Sequence, residues 1–484
     1  MKNIFKKLSP VALALLMLTS CEKEYLDTLP TDQVANETVF QSTDGAYVAL
    51  NGTYRSLWTS LGTGHDAYGQ KAVDLTMDLM GNDMMHHTQG YSWFIADYRL
   101  IAGASAAAGS RSAVEWQFYY RTITNVNNIL ANIETATGPD VDKENIMGQS
   151  LALRAYCYFY LANLYQHTYK GHETAPAVPL YTEPTIVGKP RATVQEVYTQ
   201  IIADLTQAET LLTDKPRRHI SHINVATAKG IRARVALQME DWQVAATKAA
   251  EARQGTTLMT ATAYPSGFAK YNSEWIWGLE VPNDQATIYA SFFSHMDPAA
   301  GGYATLGNQK KITKELYDQI PVGDVRKTVF RTPGTGTSTI PDYAATKFKL
   351  PTAGSWAGDY VLMRASEMYL IEAEAKARLG QEAEAITTLE TLVKTRYPEY
   401  VAPSTNLLDE ILLQRRIELW GEGFSLLDLK RLKLPLNRPI GAGNHNATLA
   451  QTLTLPAEDP KWLFRIPQDE INQNEAINPE DQNL

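Results

Sequence analysis

A spacing that occurs twice in the chain constrains its fold more than any other feature. Residues 233–245 and residues 373–385 each begin with Ala and carry Ala again twelve positions later, with a turn residue, Glu240 or Gly380, in between. Small side chains at such points allow two antiparallel helices to approach closely. Because hairpins of this kind stack to bury a shared core, the two segments predict a helical-repeat scaffold.

Amphipathic periodicity extends this prediction along the chain. The spacing of apolar residues predicts helices over 46–58, 112–133 and 144–169. Thr193 is followed three residues later by Glu196, which predicts a capping box at the start of a further helix. Most of the chain outside one central stretch is therefore expected to be helical.

The composition changes between residues 255 and 358, where Gly, Thr, Pro and Tyr dominate and only 313–320 has a helical pattern. We expect an N-terminal helical scaffold over 21–254, a variable insertion over 255–358 and a C-terminal part of the same scaffold over 359–484. Irregular excursions from a rigid scaffold commonly carry binding residues. Prolines also predict irregular structure over 171–190.

The N-terminus has the pattern of an export signal. Three lysines precede an apolar run over 11–18, and two small residues then lead to Cys21. The arrangement resembles a bacterial lipoprotein signal, in which residues 1–20 are removed and the Cys21 sulfur is lipidated. Several acyl chains would anchor the protein stably to a membrane. The alternative is an ordinary secretory signal followed by a cysteine that is not lipidated.

Charge and composition exclude several classes of function. Removal of residues 1–20 and their three lysines would lower the formal charge from −9 to about −12. A net-acidic chain without a basic run argues against nucleic acid and against electrostatic binding to anionic lipid. The only other cysteine, Cys157, lies in an apolar helical run, which is typical of a buried and unreactive thiol.

The sequence lacks the motifs of enzymes, cofactor sites and metal sites. It contains no nucleophile elbow, phosphate-binding loop or dinucleotide fingerprint. His86 and His87 lie near Asp83 and His65, but adjacent histidines point apart and structural zinc favours Cys ligands. We therefore expect no metal, no cofactor and no catalysis. The acids and arginines of 415–431 are expected to form buried ion pairs that fix helix packing.

Passages along the whole chain resemble the SusD/RagB family of Bacteroidetes outer-membrane lipoproteins. They are CEKEYLDTLP at 21–30, LRAYCYFYL at 153–161, MRASEMYLIEAEA at 363–375, RRIELWGEGFSLLDLKR at 415–431 and IPQDEINQN at 466–474. The resemblance implies a mostly α fold, a right-handed solenoid of four tetratricopeptide-like helix pairs with a loop-rich insertion and short β-hairpins. It also implies a surface receptor that works with a SusC-like TonB-dependent transporter. Glu22 and Glu24 resemble the signal that directs such lipoproteins to the outer leaflet.

Aromatic residues in Gly-rich, loop-like surroundings are the candidate ligand-binding residues. A flat ring fits the C–H face of a sugar, and neighbouring polar groups can bind its hydroxyls. In this family the ligand face resembles a meeting of the N-terminal loop with the insertion. The candidates are Asp78, Asn82, Asp83, Tyr91, Trp93, Phe94, Tyr289, Phe292, Phe293, His295, Tyr303 and Trp356.

The sequence thus predicts a lipid-anchored, surface-facing outer-membrane protein that captures oligo- or polysaccharide and passes it to a transporter. Three alternatives remain at this point. One is a peptide or nutrient receptor of the same family, and another is a helical-repeat envelope scaffold with no sugar ligand. The third is a surface hydrolase, which needs two carboxylates facing each other about 5–9.5 Å apart. The acids of the insertion show no spacing that favours it.

Overall fold

The computed structural model describes residues 39–352 and 354–483. The predicted signal peptide, residues 1–20, and the predicted lipidation site, Cys21, lie outside the described residues.

Helices make up most of the ordered elements, as the periodicity predicts. Within residues 39–352 and 354–483 there are sixteen: α1 Thr43–Ser56, α2 Gln70–Leu79, α3 Ile95–Tyr98, α4 Arg111–Asn132, α5 Asp140–Tyr165, α6 Val194–Leu212, α7 Val225–Met239, α8 Trp242–Ala252, α9 Phe292–Met296, α10 Lys314–Asp318, α11 Ala365–Arg378, α12 Glu382–Val393, α13 Leu407–Glu418, α14 Ser425–Arg431, α15 Ala447–Ala450 and α16 Gln468–Gln473.

The strands form two-stranded antiparallel ladders. They are β1 Met84–His86, β2 Pro176–Pro179, β3 Arg191–Thr193, β4 Trp275–Leu279, β5 Lys310–Ile312, β6 Tyr360–Arg364, β7 Leu436–Asn437 and β8 Thr454–Leu455. β1 pairs with β5, β2 with β3, β4 with β6 and β7 with β8. The β1–β5 and β4–β6 ladders join segments that are far apart in sequence, and each pairs a strand of residues 255–358, the predicted insertion, with a strand outside it.

The two alanine-spaced segments form the predicted helical hairpins. α7 packs on α8, and α11 packs on α12. The four spaced alanines, Ala233, Ala245, Ala373 and Ala385, are all fully buried. α8 also packs on α11, so the two hairpins stack on each other. Close approach of small residues therefore produces the repeat scaffold that the spacing predicts.

The predicted capping box at the start of a helix is confirmed. Thr193 and Glu196 form a reciprocal capping box at the start of α6, and each side chain accepts from the backbone N–H of the other residue. The expectation of irregular structure over 171–190 is wrong in one part, because Pro176 and Pro179 bound strand β2. A proline is tolerated there because the ladder is only two strands wide and irregular in register.

A buried network of charges connects the insertion to the scaffold. Arg364 donates to Glu274, Glu418 and Glu422, and Arg396 donates to Glu274 and Glu418. Arg326, Asp324 and Lys347 extend the network from the insertion side. All of these side chains are nearly or completely buried. The acids of 415–431 that take part are thus structural, as expected.

Burial is costly for each isolated charge but is offset here by mutual pairing. Desolvation alone would raise the pKa of Glu422, yet Arg364 and Lys347 outweigh it and lower that pKa to about 2.

In the part of the chain that the structure describes, no helix is both long and apolar enough to cross a membrane.

Candidate functional site

Five rings from four separate loops meet at one surface, which we call the aromatic shelf: His65, Tyr91, Trp93, Tyr289 and Tyr303. Tyr303 lies at its centre, with ring centroids 5.3 Å from Tyr91, 5.9 Å from Trp93 and 5.3 Å from Tyr289. His65 stacks on Trp93 at 5.3 Å and on Tyr289 at 5.9 Å. The shelf therefore joins the N-terminal scaffold to the insertion.

The outer rings of the shelf are open to solvent, whereas its centre is not. Tyr91 is 61% exposed and Tyr289 is 43% exposed, while Tyr303 is only 6% exposed. His65 and Trp93 are half-buried. The Nδ1 of His65 and the hydroxyl of Tyr303 lie 2.7 Å apart, so a hydrogen bond holds the central ring in place. The shelf thus offers exposed rings on a fixed base.

A buried histidine supports this base from below. His295 stacks under Tyr303 with ring centroids 5.1 Å apart, and Tyr68 stacks on the ring of His295 at 5.6 Å. Burial holds the pKa of His295 well below its usual value, so the ring is neutral. Its Nε2 lies 2.9 Å from the carbonyl oxygen of His65 and donates to it, which fixes the tautomer.

Hydrogen bonds also fix the loops that carry the rings. The Asn308 side-chain amide donates to the carbonyl of Trp93 at 3.2 Å, which links the insertion to the 87–94 loop. Arg111 binds the Asp66 carboxylate at 2.9 Å and the Asp97 carboxylate at 2.9 Å. It thereby ties the loop of His65 to helix α3.

The backbone turns sharply on either side of Trp93. Ser92 has φ 66° and Phe94 has φ 62°, both in the left-handed region that non-glycine residues rarely occupy. Such conformations persist where the surrounding structure enforces them, and they cluster at ligand sites. Here they allow Trp93 to join the shelf while Phe94 turns into the core.

The structure brings together four of the predicted ligand residues, Tyr91, Trp93, Tyr289 and Tyr303. The sequence-based expectation of exposure is wrong for four others, which are at least 99% buried: Phe94, Phe292, Phe293 and His295. Phe292, Phe293 and His295 lie in helix α9, which packs on the core, and Phe94, directly before α3, meets the ring of His295 edge-on at 4.9 Å. Phe292, for example, meets Phe348 edge-on at 4.9 Å.

The three polar candidates line a cavity away from the shelf, and both of the carboxylates among them already have internal partners. Asp78 accepts from the backbone N–H groups of Gly423 and Ser425, and burial raises its pKa to about 7. Asp83 binds the guanidinium of Arg416. The Oδ1 of Asn82 accepts from the backbone N–H of residue 437. The carboxylates of Asp78 and Asp83 are therefore not free to bind hydroxyls, contrary to the expectation.

Trp356 is half-buried on a neighbouring segment, beside Ser355, whose hydroxyl bonds the Asn283 side chain. It takes no part in the ring contacts that define the shelf, so its role in binding stays a prediction.

His65 is the shelf residue that the ligand candidates omit. The sequence indicates it only as a metal-ligand candidate, because a single histidine in a loop carries no local pattern of its own. Its neighbouring glycines at 62 and 64, like Gly90 beside Tyr91 and Trp93, are the signal that indicates a loop ring. Among the described residues no three His, Cys, Asp or Glu side chains lie together as a metal site requires.

Four acids of the insertion have partners away from the shelf. Glu274 and Asp324 belong to the buried charge network, and Asp297 accepts from the backbone N–H groups of Ala299 and Leu350. Glu280 lies 2.7 Å from the Nε2 of His219 at the surface. The arrangement at the shelf is suited to stacking and hydrogen bonding.

Comparison with known proteins gives a consistent picture. Residues 24–237 match a family described as starch-binding and associating with the outer membrane, and residues 343–484 match the SusD family. A SusD-like protein of Formosa agariphila is 22% identical over 499 residues, covering 88% of this chain and 92% of its own.

Two solved structures superpose over nearly the whole chain. A SusD-like carbohydrate-binding protein of Bacteroides vulgatus is 29% identical with a TM-score of 0.80, covering 91% of this chain and 98% of its own. A surface glycan-binding protein of Bacteroides thetaiotaomicron is 18% identical with a TM-score of 0.71, covering 92% of this chain and 99% of its own, and is similar in fold alone.

Proposed function

The chain belongs to the SusD/RagB family, as its motifs predict, and on that basis we propose that it captures oligo- or polysaccharide at the cell surface. It would pass this glycan to a SusC-like TonB-dependent outer-membrane transporter without catalysing a reaction. Lipidation of Cys21 would hold it at the outer membrane with its shelf facing outward.

The aromatic shelf is the observation that supports this proposal. Tyr91 and Tyr289 expose flat rings about a base held by the His65–Tyr303 hydrogen bond. A pyranose ring stacks its C–H face on such a surface, and both partners lose water on contact. Because the supporting rings are fixed before the ligand arrives, little conformational entropy is lost on binding.

Polar groups beside the shelf would bind the sugar hydroxyls. Gln89 and Ser92 are exposed on either side of Tyr91, and the Gln89 amide donates to the Ser92 hydroxyl at 3.0 Å. An amide and a hydroxyl can each both donate and accept, as sugar hydroxyls require. Affinity at one site would be modest because these groups must lose water, and repeated sugar units would raise it through avidity.

Affinity electrophoresis against a panel of neutral polysaccharides tests the proposal. We expect the full chain to be retarded by at least one polysaccharide, and Trp93→Ala and Tyr289→Ala to weaken that binding about tenfold, since each removes a ring of the shelf. Tyr271→Ala is the matched control, because Tyr271 is 48% exposed but lies outside the shelf. It should bind as the parent does.

If all three variants bind as the parent does, the assignment of the shelf as the binding site is contradicted. If no polysaccharide binds while oligopeptides bind in a Trp93-dependent manner, the receptor would be one for peptides. If nothing binds at the shelf, the protein would be an envelope scaffold.

A further inference from the structure

A cavity lies at the opposite end of the β1–β5 ladder from the aromatic shelf. Its volume is about 600 Å³, within the range of ligand sites. The His86–Lys310 end of the ladder leads to the shelf loops, whereas Met84 and Thr313, at the other end, line the cavity. Helices α13 and α14 form its main walls. The shelf and this cavity are therefore separate sites.

Leucine side chains form the apolar part of the cavity wall. Leu412, Leu413, Leu429, Leu432 and Leu434 all line it. Leu434 is 44% exposed, and three of the others are half-buried. Trp420 and Phe424 also line the cavity but are only 4% and 6% exposed, so the leucines offer the accessible apolar contact, without the flat face that favours a sugar ring. An occupant that covers them would gain about 25 cal/mol for each Å² of apolar surface removed from water.

A buried guanidinium in the wall has an unused donor. Arg415 is 3% exposed, its Nε donates to Asp428 at 2.8 Å, and its guanidinium lies 5.0 Å from the centre of the Phe424 ring. Its Nη1 meets no hydrogen-bond acceptor among residues 39–352 and 354–483. A buried donor without a partner is costly, so an acceptor supplied by an occupant would be favourable.

The rim of the cavity is acidic. Glu315 and Asp409 line it and are exposed, and neither forms a salt bridge with another described residue. The second arginine of the cavity, Arg416, is already paired with Asp83. The rim therefore favours a positively charged group and disfavours the carboxylate of a fatty acid.

We propose that this cavity binds an extended peptide segment of a partner protein, in which an aliphatic side chain is flanked by Lys or Arg. The aliphatic side chain fills the leucine-lined space, and a backbone carbonyl accepts from Nη1 of Arg415. The basic side chains pair with Glu315 and Asp409. A peptide carries all three groups at the spacing of neighbouring residues, and the site does not depend on glycan binding at the shelf.

Fluorescence polarisation of a short labelled peptide of alternating leucine and lysine tests this proposal on the full chain. We expect saturable binding, weakened about tenfold in the double variant E315K/D409K, because the rim charge is reversed. Glu382→Lys is the control, since Glu382 is exposed on α12 away from the cavity, and it should bind as the parent does. Leu413→Ser should also weaken binding, whereas Tyr289→Ala at the shelf should not.

Three comparison probes, a leucine–glutamate peptide, laurate and a polysaccharide, make the test decisive. An alternating leucine–glutamate peptide should bind at least about tenfold more weakly than the lysine peptide. The proposal is overturned if the lysine peptide does not bind, if E315K/D409K binds it as the parent does, or if laurate or a polysaccharide occupies the cavity in preference to the peptide.

Discussion

In the buried charge network, the Glu422 carboxylate loses its hydration and is stabilised by two cations. Its carboxylate binds Arg364 at 2.7 Å and Lys347 at 2.7 Å. Its pKa is lowered to about 2 from an ordinary value of 4.5, because the two cations outweigh desolvation. A folded-state pKa below the unfolded one stabilises the protein above pH 4.5, and that stabilisation is lost as the pH falls toward 2.

We expect Glu422→Gln to lower the free energy of unfolding at pH 7 by about 3 kcal/mol, because Arg364 and Lys347 then lose a buried counter-charge. The difference from the parent should shrink as the pH falls from 4.5 to 2. Urea unfolding at a series of pH values measures both effects. Glu382→Gln, at an exposed position of α12, should leave the curve unchanged. A pH-independent difference between E422Q and the parent would contradict the assignment.

At the scale of elements, the two helical hairpins share one turn geometry but use different residues for it. Gly380 between α11 and α12 has φ 76°, and Glu240 between α7 and α8 has φ 59°. Glycine adopts this left-handed conformation without steric cost, whereas a residue with a Cβ does not. Glu240 is exposed, so only its backbone matters at this turn.

Gly380→Ala should therefore destabilise the protein by about 1 kcal/mol, although no atom lies within 4 Å of the added Cβ. Glu240→Gly should stabilise it by up to about 1 kcal/mol, for the opposite reason. Gly52→Ala is the matched control, since Gly52 lies inside helix α1, also with no atom within 4 Å. It should stabilise by about 1 kcal/mol. Thermal or urea unfolding measures all three, and equal effects of G380A and G52A would contradict the turn geometry.

At the scale of the whole molecule, residues 255–358, the predicted insertion, are joined to the predicted scaffold by buried contacts. β4 of the insertion pairs with β6 of the scaffold, and Glu274 of the insertion contacts Arg364 and Arg396 of the scaffold. Since these contacts are buried, opening the insertion alone would expose several charges that are no longer paired. The insertion and the helices should therefore unfold together.

Native-state hydrogen exchange measures this cooperativity. We expect the amides of β4 to exchange with the same free energy of opening as those of α11, that of global unfolding. The surface segment 182–187, all of whose residues are exposed, should exchange at a much lower free energy. Exchange of β4 at a free energy well below that of α11 would mean that the insertion opens by itself.

Features that depend on residues close together in the sequence could be predicted, whereas features that depend on distant residues could not. The capping box at Thr193 and the buried alanines of the two hairpins depend on residues three to twelve positions apart, so the local pattern contains the whole signal. The motifs that indicated the family are likewise local. Exposure of loop aromatics was predicted less well, since the Gly-rich texture around Phe292 and Phe293 does not reveal that α9 packs on the core.

The sequence by itself determined the helical repeat, the family and the kind of chemistry that the loops could offer. Only the tertiary structure decided which rings form the shelf, because His65 and Tyr303 are 238 positions apart and meet through the pairing of β1 with β5 and through Asn308. It also decided that Asp78 and Asp83 are internal groups. Contacts between distant segments depend on how complete elements pack, and no short pattern of residues encodes that packing.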